Sequence, residues 1–109
     1  MPTVYKVLGQ SNPAATTATT LYTVPASTSA VVSTVVICNQ TATAATFRIS
    51  VRPAGAAQTA AMYVAYDVTV GASDSTALTL GITMATTDVL TVYGSTATLS
   101  FTAFGSEIS

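Results

Sequence analysis

Few side chains in this sequence could do chemistry. Asp67, Asp74, Asp88 and Glu107 are its only acids, Lys6, Arg48 and Arg52 its only bases, and it has neither His nor Trp. Asp74 and Asp88 stand at turn-like positions, where an aspartate side chain hydrogen-bonds the backbone that follows it. A calcium site needs several converging oxygen ligands, as in an EF-hand loop, and no such dense spacing of acids occurs. Glycoside hydrolysis needs two carboxyl groups across one sugar. Separation in sequence does not exclude such a pair here, but no tryptophan platform supports it. Cys38 has no activating histidine or cation nearby in sequence and reads as a small, reduced, buried hydrophobe. The inventory argues against an enzyme and calls for no cofactor and no metal.

The remaining candidates are contact residues. Arg48 and Arg52 share one face of an expected strand, and Asp67 falls on the polar face of its expected neighbour. One reading is an exposed cross-strand ion pair of little energetic weight. The other is an arginine-bearing interface made of Arg48, Arg52 and Asp67, since arginine is enriched where proteins meet. Two arginines do not make the positive stripe that nucleic acid requires. The five tyrosines fall on separate expected strands and read as core or edge packing, with no sugar platform among them. Asn39-Gln40-Thr41 matches a glycosylation sequon, but reads as a turn that favours asparagine.

These residues must be positioned by strands. Thr46, Arg48, Ser50 and Arg52 alternate with Phe47, Ile49 and Val51, and Val64, Tyr66, Val68 and Val70 share the apolar face of the next strand. Ala30–Cys38 has β-branched residues on both faces, which predicts a central strand covered on both sides. Further strands are expected at Val4–Leu8, Leu21–Val24 (closed by Pro25), Leu78–Ile82, Asp88–Gly94 and Thr98–Phe104, with turns at Ala26–Ser29 and Gly71–Asp74. The prediction is all-β: a single sandwich of about eight antiparallel strands over residues 1–109, with jelly-roll topology one option. Phe47, Ile49, Val51, Val64, Val68, Leu78, Leu80 and Phe101 are expected inside. Residues 1–20 read as a short strand plus an extended arm over Gln10–Thr20, and 21–109 as the sandwich body.

Composition adds a constraint on the surface. Half of the 109 residues are hydrophobic but only 6% are charged, against ~25% in an average soluble domain. Neither a basic nucleic-acid footprint nor a charged tail fits that balance. The longest apolar run is far shorter than the ~20 residues that span a bilayer. The amino terminus lacks a positive segment followed by an apolar stretch, so no secretory leader and no membrane partner are expected. Charge and proline are the usual protection of sheet edges, and both are scarce. The expected partners are therefore copies of the chain itself, in a cyclic homo-oligomer to which the Gln10–Thr20 arm adds backbone hydrogen bonds.

Leu21-Tyr22-Thr23-Val24-Pro25-Ala26, Ala30–Asn39, Phe47–Gly55, Thr87–Tyr93 and Phe104–Ile108 together resemble a pattern common in small β-rich structural proteins of tailed-bacteriophage virions. The resemblance implies a capsid decoration (cement) protein or a tail, fibre or baseplate component. It would be made in the bacterial cytoplasm and assembled on the virion beside capsid or tail proteins, as an oligomer for which a trimer is one form. No catalytic residue carries over. The alternative it leaves is a fibre module that binds host-surface glycan.

Overall fold

Threonine, valine and isoleucine dominate the strands because a branched Cβ suits a pleated, half-covered surface. The computed structural model describes residues 3–109; Met1 and Pro2, the first residues of the segment read for a leader, lie outside it. Eight strands form: β1 (Thr3–Ser11), β2 (Thr19–Thr23), β3 (Ser29–Asn39), β4 (Ala45–Arg52), β5 (Tyr63–Val70), β6 (Ser75–Met84), β7 (Val89–Gly94) and β8 (Leu99–Ile108). They pack as a β-sandwich of two antiparallel sheets, ordered β1-β8-β3-β6 and β2-β7-β4-β5. The pairing is nested: β4 with β5, β3 with β6, β2 with β7 and β1 with β8. Pairing of β3 with β8 and of β4 with β7 then closes the two layers.

Phe47 and Phe101 meet edge to face at 6.2 Å in the middle of the core. Ile37, Ile49, Leu90, Leu99, Val32 and Val35 bury around them. Of the side chains expected inside, Phe47, Ile49 and Phe101 are fully buried, and Val51 and Leu78 pack partly buried against the core. Val64, Val68 and Leu80 are not inside; they are 45%, 37% and 43% exposed. Bulges account for Val64 and Leu80, because one extra residue resets which side chains face inward. On β5, Phe47 pairs with Val68 but Ile49 with Ala65, so three β5 residues pass two of β4. Ala65 and Val70 are therefore the buried residues of β5, and Val68, on this edge strand, keeps only partial cover. On β6 the step from Ile82 to Thr79 passes Val32 to Thr34, and Leu80 falls in that bulge beside Gly81.

A bulge also explains the apolar run of β3. Its inward residues are Val32, Val35 and Ile37, all fully buried, so the inward parity switches between Val32 and Val35. Ser33 occupies the switch and donates its hydroxyl to the Phe104 carbonyl at 3.1 Å. The strand is central, but this chain covers only one of its faces, leaving Val31 and Val36 half-buried. Gly105 on β8 pairs with Val32 just before this irregularity. A Cβ there would run into the Val31 carbonyl.

The Gln10–Thr20 segment is extended but not free. Gln10 and Ser11 finish β1, and Thr19 and Thr20 begin β2. Between them Pro13 is buried, and the Asn12 amide donates to the carbonyls of Ala97 (2.9 Å) and Leu99 (2.6 Å). Ala15 bridges Gly94, whose carbonyl accepts the Thr16 N–H. The arm is thus tied to its own sandwich through Asn12, Ala15 and Thr16.

Asn39 closes the same end. It is 2% exposed, and its amide nitrogen donates to the carbonyls of Thr43, Gly71 and Val70 while its oxygen accepts the Thr41 N–H. The sequon asparagine is thus a turn-former, as its type suggests, with its amide used up inside the fold.

Candidate functional site

The outer face of β4 presents Arg48, Ser50 and Arg52, alternating with the buried Phe47 and Ile49. On one side Arg48 pairs with Tyr93 of β7. On the other it faces the β5 bulge, which sets Tyr66 and Asp67 together opposite one residue. Asp67 sits at φ 50°, in the left-handed region that aspartate tolerates better than most side chains. The result is a clamp. Arg48 Nε donates to Asp67 Oδ1 at 2.6 Å and Nη2 to Oδ2 at 3.3 Å. The guanidinium lies 4.2 Å from the Tyr66 ring centroid and 4.5 Å from that of Tyr93, within reach for cation–π attraction. Tyr63 meets Tyr66 nearly at right angles, with centroids 4.9 Å apart. The hydrogen bond to Asp67 pushes the arginine pKa up, and the one from Arg48 holds the aspartate below the usual carboxylate range. Both stay ionised, and their charges cancel.

Arg52 takes a different role from its neighbour. Its Nε donates to the Ala56 carbonyl (2.7 Å) and Nη2 to that of Gly55 (3.0 Å), so it clamps the loop after β4. That loop, residues 53–62, contains two single 3₁₀ turns and folds back over the sheet. Asp88 accepts the Ala54 N–H, and Ser50, buried beneath, donates to Gln58 Oε1 at 2.6 Å. A depression of about 450 Å³ opens beside it, lined by Gln58, Thr59, Ala60, Tyr63 and Tyr66. Of the three residues expected to form an interface, Arg48 and Asp67 come together and Arg52 does not join them.

The opposite face of the sandwich has another character. The strands β1, β8, β3 and β6 contain one lysine and one glutamate and no other charge. Lys6 Nζ and Glu107 Oε1 lie 2.8 Å apart, and Glu107 Oε2 accepts the Tyr22 hydroxyl at 2.5 Å. This trio ties β1 and β8 to β2 of the other sheet. Burial, then the carboxylate, pushes the Tyr22 pKa up, while Lys6 and then Tyr22 hold Glu107 below its usual range. With those charges paired, the outer face shows Tyr5 (84% exposed), Val7 and Phe104 around a shallow groove of about 500 Å³.

Sequence reasoning anticipated the Arg48–Asp67 pair but missed the tyrosines around it and the trio on the other sheet. Tyr66 looked inward by alternation, and Tyr63 and Tyr93 looked scattered; one mid-strand aspartate was the available sign of a bulge. Lys6, Tyr22 and Glu107 stand too far apart in sequence to be read as a trio. Among the described residues, no three His, Cys, Asp or Glu side chains converge as metal ligands, and no helix is long and apolar enough to cross a membrane. No protein-family model matches the chain, and no characterised protein matches it in sequence.

Proposed function

We propose that the protein is a non-enzymatic structural subunit of a tailed-phage virion, a capsid decoration protein or a tail component, seated through the outer face of the β1-β8-β3-β6 sheet. The observation that carries this reading is that face: Tyr5, Val7 and Phe104 lie open on a sheet whose only two charges neutralise each other. Such a surface is poorly protected against association and suited to burial against other subunits. The nested strand order is compatible with a jelly-roll winding, an architecture that capsid domains share with lectins, and that compatibility supports the same reading. Fold alone does not fix function, so the weight rests on the face. Its occupants are copies of this chain and the capsid or tail proteins beneath them.

Light scattering tests the first contact and particle composition the second. The purified protein should form a defined oligomer that Phe104→Asp converts to monomer with the fold intact. Mass spectrometry of purified particles should find its peptides in many copies. A monodisperse monomer at every concentration, absent from particles, overturns the reading.

A further inference from the structure

We infer that the tyrosine-walled depression beside β5 is a binding site for a neutral saccharide, on the face of the sandwich opposite the assembly surface. Tyr66 is 56% exposed, and Tyr63 is only half-buried. Neither is needed to fill the core, yet both are held in fixed relation. Arg48 stacks on Tyr66, Tyr63 meets it at 82°, and the bulge at Asp67 supports the arrangement with a backbone conformation that costs energy. Rigid aromatic side chains set in advance lose little freedom when a ligand arrives.

The chemistry of the lining selects the ligand. A pyranose has apolar C–H faces that lie against aromatic rings and a rim of hydroxyls that need donors and acceptors. Tyr63 and Tyr66 supply the rings. The rim is met by the two tyrosine hydroxyls, Thr59 and the amide of Gln58. That amide is fixed by the Ser50 hydroxyl on its oxygen and by one N–H given to the Thr59 carbonyl, which leaves its second N–H to donate. The volume of about 450 Å³ falls in the ~300–1,000 Å³ range of small-ligand sites. Charge weighs against anions: no lining residue is a cation, Asp67 already neutralises the Arg48 that stacks on Tyr66, and Arg52 is spent on the Gly55 and Ala56 carbonyls. Shape decides against a polyproline segment. Such a ligand docks in an aromatic-lined groove, whereas Tyr63 and Tyr66 meet nearly at right angles and form a corner.

Amide chemical-shift titration of the nitrogen-15-labelled protein tests this. The probes are maltotriose, cellotriose, mannotriose and N-acetylchitotriose, with sialyllactose against lactose and a proline-rich decapeptide as contrasting arms. At least one neutral trisaccharide should shift the amides of Gln58, Thr59, Tyr63 and Tyr66 and saturate at about millimolar concentration. Tyr63→Ala and Tyr66→Ala should each weaken it by about tenfold or more, with thermal unfolding little changed because both rings are largely outside the core. Four neutral probes without effect at about 20 mM overturn the inference, that being far weaker than specific recognition. So does binding that survives both substitutions, tighter binding of sialyllactose than of lactose, or a response to the decapeptide alone.

Discussion

Replacing Gly105 by alanine should be among the most damaging single-methyl changes in this protein. Both neighbours of β8 become irregular close to Gly105: β3 carries an extra residue between Val32, the partner of Gly105, and Thr34, and β1 carries one between Val7 and Gly9, opposite Phe104 and Ala103. A Cβ at 105 would overlap the Val31 carbonyl oxygen, lie 2.9 Å from its carbon and touch Leu8 Cδ1 at 3.0 Å. Carbon atoms settle at ~3.5–4.0 Å, so β3 would have to retreat by most of an ångström. The obstacle is backbone, which cannot swing aside as a side chain does. Two ladder hydrogen bonds next to the bulge would stretch beyond use. At ~1 kcal/mol net for each, plus ~1–3 kcal/mol for a buried group left unsatisfied, the loss comes to ~3–5 kcal/mol. For a domain of this size that lowers the melting temperature by at least about 12 °C. Gly81→Ala is the internal control. Its φ of +62° is unsuited to alanine, unlike the backbone at Gly105, but nothing lies within 4 Å of the added atom, so only the left-handed strain of ~1–2 kcal/mol applies. Urea titration followed by far-ultraviolet circular dichroism compares the two. A Gly105→Ala cost no greater than that of Gly81→Ala would refute the argument that close backbone approach fixes this glycine.

Phe47→Ala should cost ~3–5 kcal/mol by the same titration, whereas Val64→Thr, on the strand the sequence would have turned inward, should stay within ~0.5 kcal/mol; the reverse order would restore the unbulged strand. Asn39→Asp should lose ~3 kcal/mol or more at neutral pH, because a carboxylate would face the carbonyls of Thr43, Val70 and Gly71 with nothing to donate. Lowering the pH to protonate it should recover part of that loss in the same measurement. Glu107 and Asp67 both titrate below their ordinary values in the folded state, so their ionisation favours folding. That contribution is present above the unfolded-state pKa of about 4 and fades as pH falls through the lower folded values. Denaturation midpoints should therefore drop on the acid side of about pH 4, and Glu107→Gln and Asp67→Asn should each flatten part of that drop. Slopes unchanged in both variants would show that neither pairing persists in solution.

The sandwich was legible because alternation is a local property. Phe47, Ile49 and Phe101 announce an inward face within a few residues, and Pro25 and Gly71–Asp74 mark where strands turn. What alternation cannot register is an inserted residue. Val31 through Ile37 is equally consistent with a strand covered on both faces and with a bulged strand covered on one. The choice depends on Gly105, some seventy positions away, admitting the Val31 carbonyl. The seating of the arm was hidden for a related reason. Its threonines and alanines bury little, and what orders it is a set of backbone carbonyls at Gly94, Ala97 and Leu99, which carry no signature in sequence.

The candidate site depends on the same kind of insertion, so the bulge and the tyrosine walls it sets were overlooked together, although the Arg48–Asp67 pair was foreseen. In an unbroken β5, Tyr66 would join Val64 and Val68 on one face, with Asp67 on the other. One extra residue instead sets Tyr66 and Asp67 side by side against Arg48, giving the guanidinium a carboxylate and an aromatic ring at once. The same step moves Val64 off the inward face and brings Ala65 to it. A mid-strand aspartate in the left-handed region is a poor choice for stability alone. Its position makes sense as the device that turns a row of strand residues into a corner with two aromatic walls, neutral in charge and open to solvent.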